Sequence, residues 1–191
     1  QEVIISNLEE IKYMSKVLED LFVLSRSDEN QVLLNYKRMD LRDLVEEVCR
    51  HAEILAEEKD ISIVIAFLEQ VKINGDEVRL RQMVWNILHN GIKYTQPGGE
   101  LKVSLLEESG FALLSIQDTG IGIPEKDLPF IFDRFYRVDK ARSKDEGGSG
   151  LGLSICRHIA EAHKGKIEVE SKPGLGTRFK ISIRSSASAA S

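Results

Sequence analysis

The amino-acid sequence predicts an α/β fold, a two-layer α/β sandwich with a mixed sheet, preceded by one long helix. Apolar residues recur at helical spacing in four segments, and short runs rich in β-branched residues lie between them. The two kinds of segment do not alternate strictly as strand–helix–strand, which argues against a doubly wound parallel sheet. No internal repeat is evident.

Residues 1–27 read as the long helix, with Ile4, Ile11, Met14, Leu18 and Leu21 on a heptad seam that Asn7 and Ser25 interrupt. Such a seam needs a partner. The polar SRSDENQ opens a linker over 28–39, in which Val32–Tyr36 suggests a short strand. Asp40 then caps a second helix carrying Leu41, Leu44, Val45, Val48, Ile54 and Leu55 on one face until EEKD ends it. Strands are expected at Ile61–Phe67 and Val71–Ile73. Asp76 caps a third helix that runs to about Tyr94 and stops at QPGG. Leu101–Leu106 and Phe111–Gln117 form a hairpin through EESG, and a last helix opens near Gly150. Ile167–Val169 and Arg178–Ile183 make a closing hairpin around PGLGT. The globular domain therefore spans 40–184, and the low-complexity tail 185–191 is expected to be disordered.

Composition narrows the function. The 191 residues carry 42% hydrophobic side chains, enough for one domain and an accessory element. With 26 Lys and Arg against 31 Asp and Glu, the net charge of −5 offers no basic footprint, so neither nucleic acid nor direct membrane contact is expected. Two distant cysteines, Cys49 and Cys156, build neither a disulfide framework nor a zinc cluster and suggest a reducing compartment. No apolar run approaches the ~20 residues of a membrane span, so a soluble piece is expected. The first residue is Gln1, and no signal peptide follows, so a piece of a longer chain is expected.

Three motifs carry chemistry. In WNILHNGIKYT, residues 85–95, Asn86, Asn90 and Lys93 share one helical stripe, while Leu80, Val84, Ile87 and Gly91 line another. An amide oxygen suits Mg²⁺ already held by phosphates, and a lysine one turn on can meet a phosphate oxygen; a solvated helix face is the alternative. In DTGIGIP, residues 118–124, a strand-end aspartate can accept from an exocyclic amine, as adenine offers and guanine does not. Turns between strands use the same residues. In EGGSGLGLS, residues 146–154, a glycine-rich stretch enters a helix N-terminus, which is an anion site or else a mobile loop. It matches neither a Walker A loop nor a dinucleotide fingerprint.

In their order and spacing these motifs resemble the ATP-binding domain of sensor histidine kinases, in the superfamily shared with gyrase, MutL and the ninety-kilodalton heat-shock chaperone. WNILHNGIKYT is similar to that family's N box, DTGIGIP to its first glycine box and GGSGLGL to its second. FIFDRFYRVD, residues 130–139, is similar to the F box of histidine kinases, with Phe130, Phe132, Phe135 and Tyr136 read as anchors at the base of the loop that follows. The resemblance covers about Asp40 to Ile183 and implies a Bergerat-type ATP-binding fold.

It also implies roles. Asn90 would coordinate Mg²⁺, with Asn86 and Lys93 near the phosphates and Tyr94 against the nucleotide. Asp118 would hold the adenine amine in a pocket shaped by Gly120, Gly122 and Ile123. Arg137 and Lys140 would be candidates for phosphate contact, and Gly148, Ser149, Gly150, Leu151 and Gly152 would form the loop over the triphosphate. The cofactors implied are ATP and Mg²⁺. Where hydrolytic branches carry a water-activating glutamate, this sequence has Asn86, so transfer to another nucleophile is expected. None of His51, His89, His158 and His163 has the family's acceptor context. Residues 1–27 resemble the second helix of the dimerisation and phosphotransfer hairpin, which places the acceptor histidine upstream of Gln1. The resemblance thus implies a kinase fragment that binds ATP without phosphorylating itself. Its partners would be its own hairpin, a homodimer mate and a response-regulator receiver domain. The expected location is the cytoplasm, as the cytoplasmic portion of a membrane-bound sensor. The alternatives are an ATPase of the same superfamily and a nucleotide-free interaction module on the same fold.

Overall fold

The computed structural model describes residues 34–138 and 149–186. Two aspartates set the helix starts. Asp40 closes β1 (Lys37–Asp40) and caps α1 (Leu41–Glu57), its Oδ1 accepting the Arg42 N–H at 3.1 Å. The same carboxylate accepts from the Val71 N–H at 3.2 Å and the Lys72 ammonium at 2.9 Å, so the cap also ties α1 to β3 (Lys72–Gly75). Asp76 caps α2 (Glu77–Tyr94) by accepting from the Arg79 N–H at 3.1 Å. Each cap contributes about 1 kcal/mol.

The main sheet is mixed, with the order β2-β4-β5-β7-β6. β2 (Ser62–Leu68) runs parallel to β4 (Glu100–Glu108). β4 pairs antiparallel with β5 (Phe111–Asp118), β5 with β7 (Gly176–Arg184), and β7 with β6 (Lys166–Lys172). The β4–β5 turn is Ser109-Gly110, both at positive φ (52° and 79°), the conformation whose twist matches a two-residue hairpin. β1 and β3 form a separate antiparallel pair.

Alternation along the strands explains the two layers. Leu101, Val103 and Leu105 of β4, Ala112, Leu114 and Ile116 of β5, and Phe179, Ile181 and Ile183 of β7 are buried, while the residues between them are not. Against this face pack Leu41, Leu44, Val45 and Val48 of α1, Leu80, Val84 and Ile87 of α2, and Ile155 and Ile159 of α3 (Gly152–Ala162). Burying one such Leu or Ile contributes about 1.5–3 kcal/mol. The predicted sandwich is therefore the observed one.

Four expectations need correction. The strand expected at Val32–Tyr36 lies further on: residues 34–36 are not strand, and β1 begins at Lys37 because its partner β3 pairs only with 37–40. Ile54, assigned to the buried face of α1, is 62% exposed. At 100° per residue it sits about 240° from Val48, off the stripe. β6 extends to seven residues, since charged Lys166, Glu168 and Glu170 alternate with Ile167 and Val169 on an edge strand. Ser185, placed in the disordered tail, is buried, pairs with Ile73 and donates its N–H to the Gly110 carbonyl at 2.9 Å. The helix expected over 1–27, the linker to residue 33, Lys140, Gly148 and the tail beyond Ser186 lie outside the described residues.

Candidate functional site

β5 ends at Asp118, buried to 7% exposure. Its Oδ1 accepts two backbone N–H groups, from Gly120 at 2.8 Å and Thr177 at 3.1 Å. Among the described residues nothing donates to Oδ2, which is left as an acceptor for a ligand. Burial raises the Asp118 pKa, and the two N–H groups oppose that rise. Thr177 is in place because β7 starts beside the end of β5, where Gln117 pairs with Arg178. Gly176 makes that approach possible: its φ is +89°, and a Cβ there would overlap the Asp118 carbonyl.

The loop after Asp118 is stitched to its surroundings. The Ile121 N–H donates to the Tyr94 carbonyl at 3.1 Å, which joins the loop to the end of α2. Gly122 lies against the backbone of Lys172, and the Ile123 N–H donates to Ser171 Oγ at 2.8 Å. Ser171 in turn donates to the Gly176 carbonyl and lies 2.9 Å from the Thr177 hydroxyl. Gly120, Gly122 and Ile123 thus shape the wall around Asp118, with Ser171, Gly176 and Thr177 behind them. Sequence reasoning missed these last three. Their signal is the Gly-Thr pair closing PGLGT directly before an alternating strand, which reads as turn chemistry alone.

The N-box stripe meets the second glycine box. Asn86 Nδ2 donates to the Gly152 carbonyl at 3.3 Å, so α2 and the N-terminus of α3 are in contact. Asn90 and Lys93 follow on the same stripe, both half-buried. The Lys93 ammonium stands 5.2 Å from the centroid of the exposed Tyr94 ring. No side chain caps the first turn of α3, where the N-cap position is Leu151. Its first-turn N–H groups and the positive end of its dipole are therefore open to an anion beside Asn86. Ser149 Oγ accepts the Leu151 N–H at 3.3 Å, and the Leu151 side chain is fully buried, so only its backbone can serve a ligand.

The F-box aromatics divide. Phe132 packs edge-on against Phe179 at 6.4 Å, with the Arg157 guanidinium 6.0 Å above its ring. Phe130 and Phe135 are exposed, and Tyr136 donates its hydroxyl to Asp127 Oδ1 at 2.6 Å. Arg137 follows, half-buried. Neither cysteine is reactive by position: both are buried, and burial pushes the Cys49 thiol up to about 12.

The donor set fits a metal carried in by phosphates. Among the described residues no three His, Cys, Asp or Glu side chains gather as a metal site. The Asn90 amide oxygen, on the stripe shared with Asn86 and Lys93, is a hard neutral ligand of the kind Mg²⁺ accepts when phosphates supply the charge. Among the described residues no helix is long and apolar enough to cross a membrane.

Comparison with known proteins agrees with this geometry. The family described as histidine kinase-, DNA gyrase B- and HSP90-like ATPase matches residues 75–187. The sensor histidine kinase CusS of Escherichia coli O157:H7 is 36% identical over 181 residues, covering 95% of this chain and 37% of CusS. The chain thus spans well under half the length of that relative. Among solved structures, the Acinetobacter baumannii histidine kinase AdeS superposes with a TM-score of 0.80 at 28% identity, over 97% of this chain and 86% of that one. Full-length ShkA in complex with AMPPNP gives 0.84 at 26% identity, over 97% of this chain and 39% of that one.

Proposed function

The chain belongs to the histidine kinase-, DNA gyrase B- and HSP90-like ATPase family, and from that premise we propose that it is the Mg·ATP-binding catalytic part of a two-component sensor kinase. The observation that carries the reading is Asp118. One carboxylate oxygen is held by two backbone N–H groups and the other is left for an exocyclic amine, and α2 links this loop, through the Tyr94 carbonyl, to the uncapped N-terminus of α3, through Asn86 and Gly152. Adenine satisfies that acceptor; guanine, presenting a carbonyl there, does not.

The residues divide the work. Asp118 orients the base, and Gly120, Gly122 and Ile123 form its wall. Tyr94 lies along the nucleotide. Asn86, Lys93, Arg137 and the N–H groups at Gly150 and Gly152 receive the phosphates, joined by Lys140, Gly148, Ser149 and Leu151. Asn90 would hold Mg²⁺, which supplies neutralisation of phosphate charge when bound. Asn86 is an amide engaged with the Gly152 carbonyl, so it is no base for water. A γ-phosphoryl group positioned here is kept for a histidine delivered from outside the domain, with positioning and charge stabilisation as the chain's contribution. Residues 1–27 supply half of the hairpin that carries this histidine in the parent, where a homodimer mate and a receiver domain complete the pathway on the cytoplasmic side.

The test is a calorimetric titration of the chain with Mg·ATP, paired with γ-labelled ATP incubation. Saturable binding with no label retained on the chain and no sustained phosphate release supports the reading. Sustained release would make it an ATPase, and absence of binding would leave an interaction module.

A further inference from the structure

Asp127 has no part in the site above, yet it is a carboxylate buried to 7% exposure in the loop between Pro124 and the short 3₁₀ turn Leu128–Phe130. Its Oδ1 accepts the Tyr136 hydroxyl at 2.6 Å, and its Oδ2 is buried with no partner among the described residues. Burying a carboxylate half-satisfied is costly, and packing alone does not ask for it.

Tyr136 is held at three points: its hydroxyl by Asp127, its ring by Phe130 at 5.7 Å, and its N–H by the Asp133 carbonyl at 3.2 Å. The residue before it, Phe135, takes φ +64° and donates its N–H to the Gly150 carbonyl at 3.0 Å. Gly150 answers with φ +72°, and a Cβ there would stand 2.8 Å from the Phe135 carbonyl carbon. The chain entering Arg137 and the chain entering α3 therefore touch backbone to backbone. Two residues in left-handed conformations meet at that crossing, and Tyr136 is the next link toward Arg137.

From this geometry we infer that Asp127 is a positioning residue: through the Tyr136 hydroxyl it fixes the direction in which Arg137 leaves the Phe135–Gly150 crossing, toward phosphates at the N-terminus of α3. The inference rests on the nucleotide-site reading above and assigns a determinant of triphosphate affinity to a residue that touches no nucleotide. Its effect falls on the phosphate end and spares the base.

Calorimetric titration of the 191-residue chain with Mg·ATP and, separately, with adenosine tests it. Tyr136→Phe removes one hydroxyl and should weaken ATP roughly tenfold, the scale of one hydrogen bond to a charged group, while adenosine changes less than about twofold. Asp127→Ala should match it, whereas Asp127→Asn keeps an acceptor oxygen and should recover most of the ATP affinity. Arg137→Ala added to Tyr136→Phe should cost little beyond Arg137→Ala alone. Equal losses for ATP and adenosine, unchanged ATP affinity in Tyr136→Phe, or additive effects with Arg137→Ala would overturn the inference. Should Asp127→Ala fail to fold, Tyr136→Phe still decides. Failure of the unsubstituted chain to bind ATP is a separate outcome, which overturns the nucleotide reading and the inference with it.

Discussion

Asp118→Asn separates binding from folding. The substitution exchanges one oxygen for an amino group at nearly constant shape, and Asn can still present Oδ1 to the N–H groups of Gly120 and Thr177. What changes is the other position, where an amino donor would face the adenine amine, also a donor. Losing a hydrogen bond to a charged acceptor and leaving two donors opposed costs about 2–3 kcal/mol, or about 30- to 150-fold in ATP affinity. Stability moves the other way. Burial holds the Asp118 pKa above its ordinary 3.8 in the fold. A carboxylate raised in this way contributes stability below its unfolded pKa and loses it as pH rises through the folded pKa. The ionised carboxylate carries a desolvation cost that Asn escapes. Asp118→Asn should therefore melt no lower than the parent, and up to about 2–4 °C higher for a gain near 1 kcal/mol. Nucleotide-free thermal unfolding with calorimetric titration at pH 7 reads both quantities. A melting temperature lowered by more than about 4 °C would turn the lost affinity into a folding defect, and undiminished affinity would remove Asp118 from the site.

Other substitutions read other parts of the molecule. His163 is buried and neutral, its Nδ1 bonded to the Ile159 carbonyl at 2.7 Å and its Nε2 accepting the Asp76 N–H at 2.9 Å. Burial lowers its pKa below 6.5, so the unfolded state binds the extra proton first and stability falls as pH drops through that value. Urea midpoints at pH 7.5 and 5.5 should differ more in the parent than in His163→Gln; an equal difference would assign the pH dependence elsewhere. Gly176→Ala should lose several kcal/mol in urea unfolding, because its φ is positive and a methyl group overlaps the Asp118 carbonyl; a change under about 1 kcal/mol would refute that close approach. Removing Mg²⁺ with a chelator should weaken ATP binding in the parent and leave Asn90→Ala unaffected, whereas equal sensitivity would place the metal on other ligands.

Local chemistry was legible in the sequence and distant pairing was not. Asp40 and Asp76 announce their helices because a cap acts within three residues of itself, and Ser109-Gly110 announces its hairpin for the same reason. β1 was displaced because its position is decided by β3, more than thirty residues away, while Asn35 and Tyr36, inside the expected strand, bond to Asp76 and the Ala162 carbonyl. Ile54 misled because an apolar residue next to the stripe looks like part of it. Within the site, the stripe of Asn86, Asn90 and Lys93, the strand-end Asp118 and the glycines before α3 are contiguous motifs visible along the chain, and the roles proposed for them rest on the family resemblance. Thr177 and Gly176 reach Asp118 only because β7 lies beside β5. Asp127 and Tyr136, nine residues apart, meet through a turn that no periodicity describes.

Base selection by the parent chain is the most direct measure of the central claim, that Asp118 makes this an adenine site. Side-by-side calorimetric titrations with Mg·ATP and Mg·GTP hold the phosphates and metal constant and vary only the group that faces the carboxylate. Saturable ATP binding at least about a hundredfold tighter than GTP is the predicted result, the scale set by leaving a buried acceptor unpaired. Equal affinities would contradict it, because phosphate contacts alone would then account for binding.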